Sequence, residues 1–204
     1  EGTGRLRRVL TFNAGACCGL AASRNVDDVA FTRAILDDLE TVARVDPRRV
    51  FATGMSNGAM MAYRVAAELS DRIAAIAPVG GPMGLEECAP GRPVPVIHFH
   101  GDADEFAPFR GGRGRGVSGT DFQSVTRSIA AWIEADGCRA DPEITQLADA
   151  EDDGTRVRIE RHGAAARARR SSSSSSRGAG IPGPAASRVS ASSAVRPATS
   201  PPTT

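Results

Sequence analysis

Gly54-Met55-Ser56-Asn57-Gly58 constrains this chain more than any other segment. The pentapeptide lies between a short apolar run, Arg49 to Thr53, and a helix-forming run, Ala59 to Leu69. Strand, sharp turn and helix in that order make a nucleophile elbow, in which a strained turn lifts a serine hydroxyl above the end of a sheet. Flanking glycines suit such a turn because the backbone must pass close by without a Cβ in the way. The N-terminus of the helix that follows favours developing negative charge. The plainer reading is a glycine-rich strand-to-helix turn whose serine only caps the helix.

Around this turn, strand and helix signals alternate. Val26 to Val42 carries Val29, Ile35, Leu36, Leu39 and Val42 at helical spacing, with Asn25 or Asp27 as the start signal. Ile73 to Val79 and Val94 to His100 are strand candidates, the first closed by Gly80-Gly81-Pro82 and the second entered from a proline-rich stretch. Phe122, Val125, Ile129 and Trp132 place a helix over 121–135, and 156–161 reads as a final strand. The alternation predicts an α/β fold with a mostly parallel sheet covered by helices on both faces.

The 204 residues suffice for one domain with a sizeable core. A net charge of +1 gives no electrostatic footprint for nucleic acid, and no run is long and apolar enough for a membrane span. All 25 basic residues are arginine, a bias that fits a gene rich in G and C. The chain opens at Glu1 in mid-pattern, so an N-terminal portion is expected to be missing, and no signal peptide is present. Cys17, Cys18, Cys88 and Cys138 form no Cys-x-x-Cys pair, so neither a metal nor any other cofactor is expected. Neighbouring cysteines rarely bond each other, so a disulfide from Cys17 or Cys18 would reach Cys88 or Cys138; buried free thiols are the alternative.

Five segments carry a family resemblance. They are Phe12 to Gly19, Val26 to Phe31, Asp46 to Val50, Gly54 to Met61, and His100-Gly101-x-x-Asp104-x-x-x-Pro108. In this order, over roughly residues 10–162, they resemble the extracellular α/β-hydrolases that comprise polyhydroxybutyrate depolymerases and feruloyl esterases. The resemblance implies an incomplete α/β-hydrolase domain, a serine-dependent ester hydrolase, a secreted location and an ester substrate. Carried onto this chain, Ser56 is the nucleophile, Asp104 the triad acid with Asp102 as its neighbour and competitor, and the Asn57 N–H an oxyanion donor. His100 is expected to shape the loop, and His98 to pack inside its strand. The segment Arg110 to Gly116, just after Asp104, reads as a flexible surface loop.

The departures concern the base. The family's histidine sits in a C-terminal Gly-His-Thr-Trp-Pro-Gly motif, which this chain lacks, and His162 comes too early. From Gly163 the composition turns to arginine, serine, proline and alanine, which predicts a disordered tail over 163–204. A shifted reading frame would account for this tail: with codons chosen as GCG GGC ATA CCT GGC CCG GCx for Ala179 to Ala185, reading from the third base encodes Gly-His-Thr-Trp-Pro-Gly. The expectation is an esterase impaired by loss of its base; the alternative is a non-catalytic polymer- or carbohydrate-binding protein on the same fold.

Overall fold

The computed structural model describes residues 10–116, 119–149 and 155–164. The elements run α1 (Gly19–Ser23), α2 (Asp28–Val42), a 3₁₀ turn (Pro47–Arg49), β1 (Phe51–Met55), α3 (Asn57–Glu68) and β2 (Ala75–Val79). After them come β3 (Gly112–Arg113), β4 (Asp121–Phe122), α4 (Val125–Ala135), β5 (Glu143–Leu147) and β6 (Val157–Arg161). Caps set the boundaries as short-range chemistry requires. Asp27 accepts from the Ala30 N–H at the start of α2, Asp46 from Arg48 N–H at the 3₁₀ turn, and Ser124 from Arg127 N–H at α4.

β1 and β2 pair in parallel, Phe51 opposite Ala75 through Met55 opposite Val79. Residues 94–100 continue the sheet on the far side of β2, through parallel bridges Ile76–Val96 and Val79–Phe99. Its ladder is broken at one rung. Ile97 N–H donates to Ile76 O and Phe99 N–H to Pro78 O, but Pro78 has no N–H to return between them.

One face of this sheet is covered. α3 packs on β1 and β2, α2 packs on α3, and Trp132 of α4 meets Tyr63 of α3 at a ring separation of 5.8 Å. Tyr63, Met60, Leu69, Ile76 and Met83 are the largest of the fully buried apolar side chains in that core. Among the described residues the other face is open, which corrects the expectation of helices on both. Phe51 and Met55 are 64% and 74% exposed, and Val79 and Phe99 beside them are each 38% exposed.

Two further expectations are corrected. The strand at 157–161 is real but pairs antiparallel with β5, Glu143 opposite Arg161, outside the parallel sheet. On α2, Val29 and Leu36 face the core, whereas Ile35, Leu39 and Val42 join Phe31 in an exposed stripe. Gly163 and Ala164 still pair with the chain at Arg139 and Cys138. The rest of the tail, 165–204, lies outside the described residues.

Candidate active site

Ser56 sits between β1 and α3 at φ 54° and ψ −119°, a left-handed backbone that a residue with a Cβ adopts only under constraint. The constraint is visible. Its N–H donates to Val79 O at 2.9 Å, and its carbonyl accepts from Ala59 and Met60 N–H at 3.0 and 3.1 Å. A Cβ at Gly54 would lie 2.5 Å from the Gly58 carbonyl, and one at Gly81 would collide with the Ser56 carbonyl. At Gly58 a Cβ would meet nothing, so that glycine is not required by close approach. The Ser56 side chain makes no capping bond to α3 and is exposed, so it is not spent as a helix cap.

Asn57 opens α3, and its N–H therefore has no carbonyl one turn back to bond. Its side chain is committed elsewhere. Oδ1 accepts from Phe12 N–H at 2.7 Å and Nδ2 donates to Phe12 O at 3.0 Å, pinning the 12–18 segment to the elbow. Asn13, next along, donates its N–H to buried Asp28 at 2.7 Å, and Arg64 of α3 donates to Asn13 O at 2.7 Å. Nothing in the local pattern of these three polar motifs signals that they meet.

Asp104 lies past the end of the third strand. Its Oδ1 accepts from the Phe106 and Ala107 N–H groups at 2.8 and 2.9 Å, which fixes the carboxylate in its turn. Its Oδ2 stands 3.7 Å from His100 Nε2, too far for a hydrogen bond, and Asp104 lines a pocket beside Ser56. That pocket, about 540 Å³, gathers Ser56, Asp104 and His100 with an apolar rim of Met55, Val79, Phe99 and Phe106. It opens at the carboxyl ends of the three parallel strands, where such sheets present their ligands.

The three histidines are all engaged. His98 bonds the Tyr63 hydroxyl through Nδ1 at 3.0 Å and His100 Nδ1 through Nε2 at 3.2 Å. His100 Nε2 contacts Ala107 O at 2.7 Å. Burial, and then the neighbouring His100, push His98 down to about 3, so its ring is neutral. His162 bonds Arg139 O at 2.9 Å and lines a separate cavity between α4 and the β5–β6 hairpin. No imidazole therefore offers a nitrogen to Ser56.

The segment Arg110 to Gly116 is not a free loop. Gly112 and Arg113 form β3 against β4, and Arg115 pairs with Glu105 beside Asp104 at 2.7 Å. Cys17 and Cys18 are joined to each other, which corrects the expectation of a bridge from either of them to Cys88 or Cys138. Burial and the charge of Asp136 push the Cys88 thiol up to about 12, so it stays protonated. Among the described residues no group of three or more His, Cys, Asp or Glu is placed to hold a metal ion, and no helix is long and apolar enough to cross a membrane.

Sequence comparison finds esterases. The chain is 33% identical over 138 residues, 64% of its length, to feruloyl esterase B of Piromyces equi. It is 49% identical over 86 residues, 41% of its length, to NocK of Nocardia uniformis subsp. tsuyamanensis, a protein named as an esterase. Over 78 residues, 38% of its length, it is 33% identical to the bifunctional acetylxylan esterase/xylanase XynS20E of Neocallimastix patriciarum. The aligned parts cover 25%, 25% and 12% of these relatives, so the chain spans a quarter or less of each. No family model matches the chain.

Proposed function

We propose that this chain carries the nucleophile and acid of a serine carboxylic-ester hydrolase of the α/β-hydrolase class, secreted like the family it resembles. The observation that carries the reading is the uncapped Ser56 hydroxyl, held at φ 54° on a strand-to-helix turn and facing the same pocket as the Asp104 carboxylate. In the complete reaction, the Ser56 oxygen attacks the ester carbonyl while a histidine takes its proton. The Asn57 N–H stabilises the oxyanion, the alcohol leaves with that proton, and water then releases the acid from the acyl-enzyme. Asp104 suits the acid role better than Asp102 because its carboxylate is fixed by backbone donors and it, unlike Asp102, lines the pocket with Ser56. The substrate class, a polyhydroxyalkanoate, a feruloylated polysaccharide or a small ester, fits the apolar rim around Ser56.

The base is missing from the pocket, so the chain as written is a weak esterase or an inactive one. Loss of one triad member removes most of the rate because the three residues act as a unit. The tail supplies the remedy. With Ala179 to Ala185 coded as above, restoring the frame beyond residue 162 would return Gly-His-Thr-Trp-Pro-Gly and, with it, the histidine. The test compares both proteins on a p-nitrophenyl short-chain ester. Hydrolysis should be weak or absent in the chain as written, strong in the frame-restored protein, and abolished there by Ser56→Ala. Ordinary esterase rates from the chain as written would refute the impairment. A frame-restored protein indifferent to Ser56→Ala would refute the serine mechanism.

A further inference from the structure

The cluster of Tyr63, His98 and His100 is not used by the reaction above, and with both rings neutral its hydrogen bonds have one consistent assignment of protons. Ala107 O can only accept, so His100 Nε2, at 2.7 Å, must carry a proton. In a neutral ring that leaves His100 Nδ1 as an acceptor, and the nitrogen facing it at 3.2 Å, His98 Nε2, must donate. His98 Nδ1 is then an acceptor in turn, and the Tyr63 hydroxyl donates to it at 3.0 Å. Tyr63 and His98 are fully buried and His100 is 3% exposed, so water does not compete for these bonds. A charged ring at either histidine would allow other arrangements; burial and His100 hold His98 neutral down to about pH 3.

One end of the chain of bonds lies on the elbow helix and the other reaches the Asp104 loop. Tyr63 belongs to α3, the helix that begins next to Ser56. At the other end Ala107 is held twice, its carbonyl by His100 and its N–H by Asp104 Oδ1 at 2.9 Å. We propose that Tyr63, His98 and His100 form a hydrogen-bond chain of fixed direction from the elbow helix to the Asp104 loop, in which His100 is the positioning residue for the Asp104 carboxylate. The inference deepens the esterase reading and rests on it, because it gives the acid a defined support inside the fold. His100 acts through Ala107. It holds the carbonyl of Ala107, the residue whose own N–H holds Oδ1, and its Nε2 lies 3.7 Å from Oδ2.

The test is nuclear magnetic resonance on the full chain with ¹⁵N-labelled histidine, at neutral pH. With three histidines in the chain, single substitutions assign every ring. His98 and His100 should both appear as neutral rings protonated at Nε2. Either ring protonated at Nδ1, or as an imidazolium, overturns the proposal. Tyr63→Phe should leave the His100 tautomer unchanged, since Ala107 O sets the direction; a switch overturns it too. His100→Asn withdraws the donor from Ala107 O, so the Phe106 and Ala107 amides should exchange at least roughly tenfold faster while those of α3 keep their protection. His100→Gln, whose amide reaches the Nε2 position, should restore most of that protection. Unchanged exchange in His100→Asn rejects the positioning role, and should that variant not fold, the wild-type and Tyr63→Phe tautomers still decide. Neither readout passes through ester hydrolysis, so a failure here and a failure of the esterase reading are told apart.

Discussion

At Ser56 the backbone stores strain of about 1–3 kcal/mol, which persists only because the neighbouring chain over-determines it. Gly81 is one of those neighbours, because its missing Cβ admits the Ser56 carbonyl. Gly81→Ala should destabilise the protein by about 1–3 kcal/mol in urea unfolding, through forced displacement of the elbow. Gly58→Ala should do the reverse, by about 0.5–1 kcal/mol, since a Cβ there meets nothing and alanine is the better helix residue. His98 supplies a pH dependence. Its native pKa of about 3 lies below the ordinary 6.5, so between these values the unfolded chain binds the extra proton. The stability from burying the neutral ring is fully present above pH 6.5 and is lost as pH falls toward 3. Urea titrations at successive pH values should show a loss from this group approaching about 1.4 kcal/mol per unit within that window. The individual roles were partly legible in the sequence. Gly-x-Ser-x-Gly marked Ser56, but nothing near Asn57 indicated that its side chain would pair with Phe12, 45 residues earlier.

Among the elements, local signals placed the helices and strands and tertiary contacts trimmed them. α2, β1, α3, β2 and α4 fall where apolar spacing and caps put them. The β5 segment, Glu143–Leu147, carried no strand reading, because its pattern is polar and its order comes from its partner β6. The Arg110 to Gly116 segment looked free for the same reason. Its glycines suggest freedom, and only the contacts to β4 and Glu105 remove it. The Arg115–Glu105 pair is itself weak, being 73% and 59% exposed. Arg115→Ala should therefore cost no more than about 1 kcal/mol in urea unfolding. Pro78 in β2 is a further case, since it occupies a middle strand that a sequence rule would deny it, and the ladder tolerates the loss of a single rung.

In the molecule as a whole, the open face of the parallel sheet dominates. Phe51, Met55, Val79 and Phe99 on that face, with the α2 stripe of Phe31, Ile35, Leu39 and Val42, leave more large apolar side chains exposed than a sheet covered on both sides would. The protein should bind a hydrophobic dye such as anilinonaphthalene sulfonate in its native state. Phe51→Ser should lower that fluorescence while changing stability by no more than about 0.5 kcal/mol, as expected of an exposed substitution. Loss of cooperative unfolding in Phe51→Ser would mean instead that the face is buried in solution.

Local pattern dictates the order of strands and helices, the position of the Gly54 to Gly58 turn and the turn at Asp104 after the third strand. These follow from period, glycine placement and short-range caps, which act within a few residues. Long-range contact settles the rest: which face of the sheet is covered, that His98 bonds Tyr63 and His100 inside the core, and that the 12–13 segment is held by Asn57 and Asp28. Most of those outcomes depend on atoms tens of residues apart reaching hydrogen-bond distance, and no local pattern encodes a separation that only the folded chain closes.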